Sequence, residues 1–302
     1  MKNNALYYPY INVPKSKWLM ENLLYWDKLY SIIPIQTYKS KSDITTFTKK
    51  LLDNDLLKII HPRDYSDELR SFEKLILTKG LKFKQKNEHK ALRNKFSLIH
   101  IEKLGNIVYE LKDLKLIEES EKGYAWYKMN KKFSKIFMKE LANSLSTITQ
   151  LNCTPITNKN YKLGKEKIKI KDELLHFSMP VPDFTKDIDL GKIIEFKKSN
   201  QSSIIDYRNT IEEITLNILS QRKKYRRDQI EHEKIKLNKI VEELNSEISK
   251  SWKYQLKKII VPIKTFIDSS PTDILEFIPS KQEKNCLSYI TSLERFDFRL
   301  KN

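Results

Sequence analysis

Lys192 to Val261 reads KIIEFKKSNQSSIIDYRNTIEEITLNILSQRKKYRRDQIEHEKIKLNKIVEELNSEISKSWKYQLKKIIV, seventy residues with no Pro and no Gly in a chain that has ten of one and five of the other. Apolar residues recur in it at helical spacing, first Ile204, Tyr207, Ile211, Ile214 and Ile218, then Leu237, Val241, Leu244, Ile248 and Trp252. Steps of three and four place each set on one helix face. Between the sets lies Arg222-Lys223-Lys224-Tyr225-Arg226-Arg227-Asp228, too charged to bury. Two long helices, or one long helix with a solvated middle, are expected. They predict a helical hairpin or a coiled-coil-like arrangement.

Working outward toward the N-terminus, the pattern changes. Ala5 to Ile11 reads as a strand, and Pro14 and Ser16 open a helix whose apolar face runs from Trp18 and Leu19 through Leu23 and Trp26 to Leu29 and Tyr30. Ile32 to Tyr38 reads as a second strand, Ser42 or Asp43 caps a short helix, and Leu56 to His61 reads as a third strand. Strand–helix alternation at this spacing predicts an α/β layer. Asp64 to Thr78 reads as helix, residues 80–95 as a basic solvated segment, and Phe96 to Leu114 as helix broken near Gly105. A short strand at residues 115–117, a charged Gly turn and the aromatic strand Tyr124 to Met129 follow. That order resembles the end of a winged helix. The competing reading is an ordinary hairpin, favoured because Glu118, Glu119 and Glu121 would repel phosphates. Phe133 to Leu145 reads as helix, Leu151 to Thr157 as strand, residues 158–172 as a Lys-rich loop, and Leu174 to Val181 as a last strand. The expected fold class is therefore α+β: a mixed α/β region over residues 1–189, then long helices over 190–302. A short amphipathic tail carrying Phe266, Ile274, Leu275 and Phe277 closes the second region.

The motifs LYYPYI (Leu6–Ile11), Trp18, LLYWDKL (Leu23–Leu29) and IIP (Ile32–Pro34) resemble the opening of an uncharacterised bacterial family of unknown function. Ile193-Ile194-Glu195-Phe196-Lys197 and Tyr207-Arg208 resemble its second motif, with Lys197 where the family carries Arg. Phe137-Met138, Leu141-Ala142 and Thr154-Pro155-Ile156-Thr157 are a third similarity. The resemblance implies a bacterial origin, and families of this kind sit among mobile-element and phage-defence genes. It implies no activity.

The charge balance is 57 basic against 39 acidic residues, +18 in all. It points to a polyanionic partner, RNA or DNA. Nine of the basic residues are Arg and the rest Lys, a usage that an AT-rich genome also writes. Cys153 and Cys286 form no CxxC, so neither a disulfide scaffold nor a zinc site follows. No apolar run nears the roughly 20 residues of a membrane helix, and the first residues lack a signal core. A cytoplasmic protein without membrane association is expected.

The five glycines are isolated, so no phosphate-cradling loop can be assembled and no cofactor is expected. The five histidines are scattered without metal-ligand spacing, so no metal site is expected. Arg227 and His232 have the spacing of the HEPN ribonuclease motif. There His would move the 2′-hydroxyl proton and Arg would stabilise the charged phosphorane. Pro182-Asp183 with Glu195 and Lys197 matches a PD-(D/E)xK nuclease in spacing, but that chemistry needs a strand where helix is expected. Arg222, Lys223, Lys224, Arg226 and Arg227 are the densest cationic cluster and the expected nucleic-acid or partner-binding site. The leading expectation is a non-enzymatic interaction protein, a phage-defence or toxin–antitoxin component. It would bind a partner chain or nucleic acid through its long basic helices, or self-associate through residues 192–256. A metal-independent ribonuclease using Arg227 and His232, and a winged-helix DNA-binding regulator, are the alternatives.

Overall fold

The computed structural model describes residues 4–40, 43–86, 95–158, 166–179, 181, 188–249, 288–290, 292–293 and 296–298, with the backbone alone over 238–249. The expected tail residues Phe266 to Phe277, and Trp252, lie outside this set. The fold class is α+β with long helices in the C-terminal part.

Four short strands form a parallel sheet: β1 (Asn4–Tyr7), β2 (Lys28–Ile32), β3 (Leu57–Ile60) and, much later in the chain, β7 (Cys153–Ile156). Their order is β3-β2-β1-β7, with Ala5 opposite Leu29 and Asn4 opposite Cys153. Parallel pairing needs a crossover between strands. Helices α1 (Lys17–Tyr25), α2 (Ile35–Ser40) and α3 (Thr46–Asp53) supply two of them. Ala5, Leu6 and Tyr7 are all buried, as expected of a strand covered on both faces. Two sequence expectations shift here. Leu29 and Tyr30 belong to β2 and not to the first helix, which ends at Tyr25. Ile35 to Ser40 is helix and not strand. Apolar residues at the helix–strand junction satisfy both periodicities, and pairing with β1 decides between them.

Between β3 and β7 the chain builds a second sheet. Helix α4 (Arg70–Lys86) leads into β4 (Phe96–His100), and α5 (Ile101–Leu104), a 3-10 turn (Gly105–Ile107) and α6 (Val108–Asp113) follow. Then β5 (Ile117–Glu119), a turn containing Gly123 at φ +119° and β6 (Trp126–Asn130) complete an antiparallel sheet of order β4-β6-β5. The hairpin expected over residues 115–129 is thus present as β5 and β6 packed on β4, an order compatible with either of the two readings of this stretch. Phe96 to His100 is strand, correcting the helix expected there, because its ladder to β6 outweighs the local apolar spacing.

Helix α7 (Lys131–Thr147) ties the two sheets together. Asn130 caps it, its side-chain oxygen accepting from Lys132 N at 2.9 Å. Phe133, Phe137, Met138, Leu141, Ala142 and Leu145 line its buried face. Phe137 meets Phe72 of α4 edge-on at 5.4 Å, and Phe133 meets Phe83 at 5.3 Å. The buried set is continuous, running from Leu6, Ile32 and Ile60 through Ile76, Leu111 and Met129 to Leu141 and Cys153.

The chain divides into two compact units. One holds residues 1–164, 182–194 and 298–302; the other holds 165–181 and 195–297. The boundary expected near Asp189 is thus an interleaved one. Residues 174–181 read as strand in the sequence, but Glu166–Ser178 is helix α8, and it packs on α10 (Gln201–Ser220) and α11 (Arg226–Ser249). Its four buried residues, Ile170, Leu174, Leu175 and Ser178, recur at helical spacing. Ser178 Oγ meets Tyr207 OH at 2.6 Å inside this unit. Helix α9 (Leu190–Ser199) precedes α10. The described part of the seventy-residue run, residues 192–249, is therefore several helices. It breaks at Asn200, whose side chain donates to Phe196 O at 3.0 Å, and at Gln221 and Arg222, whose ψ angles of 152° and 139° are extended.

Candidate nucleic-acid interface

The corner between α10 and α11 carries the expected cationic cluster, and the structure divides its members. Arg226 is a clamp. Its guanidinium donates to Leu219 O (2.8 Å), Gln221 O (3.0 Å) and Glu166 Oε2 (2.6 Å). It thereby satisfies carbonyls left open at the end of α10, where a cation also suits the helix dipole. Arg227 is exposed but paired with Glu173 (3.3 Å) and Glu231 (3.1 Å). Arg222, Lys223 and Lys224 are exposed, with Lys224 Nζ 4.5 Å from the Tyr225 ring centroid. Three of the five expected cations thus face solvent without a carboxylate partner among the described residues.

His232 is exposed on α11, five residues after Arg227. Five residues turn an α-helix by about 500°, which separates the two side chains by about 140° around the axis. Among the described residues no hydrogen bond or ion pair joins Arg227 to His232, and Arg227 is paired with Glu173 and Glu231 instead. Glu195 and Lys197 lie on α9, so the strand that a PD-(D/E)xK site needs is absent there, and Asp183 lies outside the described residues. Among the described residues no group of His, Cys, Asp and Glu could hold a metal ion. None of their helices is long and apolar enough to cross a membrane.

The unit built on the second sheet has two faces of opposite charge. In the winged-helix alternative, the surface turned to DNA would be α6 and the turn at residues 120–125. Here residues 108–123 hold Glu110, Asp113, Glu118, Glu119 and Glu121 against Lys112, Lys115 and Lys122. Lys112 is spent on Glu119 at 2.6 Å. Phosphates would be repelled from this side.

The other face is cationic. Helices α4 and α7 carry ten basic residues and two acids. Both acids are engaged: Glu73 accepts from Asn106 N at 3.1 Å, and Glu140 holds Lys79 at 2.6 Å. The last turns of α4, the start of β4 and the first turn of α7 meet through Phe83 and Phe133, and Lys131 N donates to Lys95 O at 2.9 Å. Lys82, Lys86, Lys95, Lys131 and Lys132 are exposed at this meeting point. None of these five is paired with a carboxylate among the described residues. Lys131 and Lys132 sit at the positive end of the α7 dipole, which like charge disfavours and a bound anion relieves. Phe96 is 52% exposed beside them, with Lys128 Nζ 5.3 Å from its ring centroid, and Leu81 on α4 is 48% exposed. In sequence, residues 80–95 read only as a solvated segment. The signal for this face is the matching absence of acids from residues 74–86 and 128–139, segments that only the packing of α4 on α7 makes neighbours.

No family model, no curated protein and no solved structure matches the chain.

Proposed function

We propose that this chain is a non-enzymatic interaction protein whose partner is single-stranded nucleic acid, held on the lysine face of α4, β4 and α7. One observation carries the reading: five exposed lysines without carboxylate partners among the described residues lie on α4, α7 and the residue before β4, elements that meet near an exposed Phe96. Lysines track a phosphate backbone without reading sequence, and an exposed ring offers a base a surface to stack on. The corner cations Arg222, Lys223 and Lys224, in the other compact unit, are a separate and weaker site. The motif resemblance to an uncharacterised bacterial family is compatible with a phage-defence or toxin–antitoxin setting.

The test is fluorescence anisotropy of labelled single-stranded DNA and RNA across a salt series. If the five lysines neutralise five phosphates, log K falls with log salt at a slope of about −3.5, near a hundredfold between about 50 and 200 mM. Replacing Lys82, Lys86, Lys131 and Lys132 by Gln reduces that slope by about 3. Replacing Arg222, Lys223 and Lys224 by Gln has the smaller effect. The reverse ranking, or a wild type with no affinity at low salt, overturns the reading. Running the same mixtures in EDTA on a denaturing gel, with His232→Ala beside the wild type, tests for cleavage, and none is expected.

A further inference from the structure

Lys103, on the single turn of α5, is 5% exposed. Among the described residues no hydrogen bond or ion pair reaches its ammonium group. The adjacent Glu102, and Glu73 which lines the smaller of the two cavities beside Lys103, are committed elsewhere. Glu102 accepts from Ile35 N (2.6 Å) and Gln36 N (3.2 Å), and Glu73 accepts from Asn106 N. A buried cation with no counter-charge is costly, and burial alone pushes this amine down to about 8.

The side chain does not end in packed core. It lines a cavity of about 370 Å³ between the loop after β1 (Pro9 to Asn12) and the second sheet, and borders another of about 240 Å³ on the side of Arg63 and Glu73. In the larger cavity, Lys122 is already neutralised by Asp43, and Asn12 is pinned between Asp43 O and Thr45 N, both at 2.8 Å. His100 is buried and accepts from Glu102 N through Nδ1 at 3.2 Å, which leaves its Nε2–H as a donor. Burial lowers its pKa, against the opposing charge of Glu102, and so favours that neutral donor form. The position in the fold is also one where α/β sheets take ligands. The cavity lies beyond the carboxyl end of β1, and β1 is the strand from which the order runs outward to β2 on one side and β7 on the other.

We propose that this cavity binds a small oxyanion, a carboxylate or a phosphate group, with Lys103 as its counter-ion and His100 as a neutral hydrogen-bond donor. The site is separate from the lysine face, and its success or failure does not depend on nucleic-acid binding.

The experiment uses the full chain with acetate, inorganic phosphate and adenosine monophosphate as probes, at constant ionic strength. Acylation of Lys103 by acetic anhydride, followed by peptide mass mapping, should slow at least fivefold with the fitting probe, while exposed lysines react unchanged. The three probes distinguish a carboxylate from a phosphate site. The same probe should raise the melting temperature of the wild type by about 5 °C at saturation and leave Lys103→Met unmoved. Without any probe, Lys103→Met should melt at or above the wild type, because the substitution removes an unpaired buried charge. If no probe slows acylation of Lys103, the proposal fails whether or not Lys103→Met folds. It fails equally if Lys103→Met responds to the probe as the wild type does.

Discussion

Arg226→Ala separates structure from binding at the helix corner. The guanidinium makes two hydrogen bonds to the carbonyls of Leu219 and Gln221 and one to Glu166. Hydrogen bonds from charged donors contribute about 1.5–3 kcal/mol each when shielded. The Arg226 side chain is 22% exposed and Glu166 43%, so the ion pair itself counts for less than about 1 kcal/mol. Water can also replace the donor at part of the exposed corner. The expected loss is therefore about 2 kcal/mol, most of it from the two carbonyls. Urea unfolding followed by helical circular dichroism reads that loss as a lower midpoint at unchanged slope. Hydrogen exchange should accelerate at residues 215–225. Arg222→Ala, with no such bonds, should stay within about 0.5 kcal/mol of wild type. If Arg226→Ala leaves stability and exchange untouched but weakens nucleic-acid binding more than Arg222→Ala does, the clamp assignment is wrong and the corner is the principal binding site.

Two further predictions concern stability. Phe137→Ala should destabilise the α/β unit by about 3–5 kcal/mol in urea unfolding, because the ring is fully buried against Phe72 on the helix that both sheets share; a loss under about 1 kcal/mol would mean α7 is not that spine. Burial pushes the Glu212 carboxyl up, but hydrogen bonds from Lys167 and Lys171, and their charges, outweigh it and hold the group below its ordinary value. A carboxylate depressed in the folded state contributes stability above the unfolded value of about 4.3 and loses it as pH falls through the folded one. Wild type should therefore lose more stability than Glu212→Gln on acidification below about pH 5, and parallel pH profiles would refute the pairing.

The helices of the C-terminal part were legible because helical spacing of Ile204, Tyr207, Ile211 and Ile218 is a local property, and those four side chains are buried. The turn at Gly123, the strand after it and helix α7 were legible for the same reason. Phe96 to His100 and residues 174–178 were not, because five-residue apolar runs suit strand or helix equally and only their partners, β6 and α10, decide. The candidate interface shows the same division. Sequence density singles out residues 222–227, where local cations are most crowded. Local crowding cannot reveal that Arg226 turns back onto its own helix end and Arg227 onto Glu173. Nor can it reveal that lysines some fifty residues apart meet where α4 packs on α7.

The sequence alone determined composition, charge, helix periodicity and the absence of a glycine-rich phosphate loop, all set by neighbouring residues. The tertiary structure decided the order of the parallel sheet, the β4-β6-β5 pairing of the second sheet and the lack of a counter-charge for Lys103 among the described residues. These depend on contacts between distant segments, and a side chain gains or lacks a counter-charge only once those contacts exist.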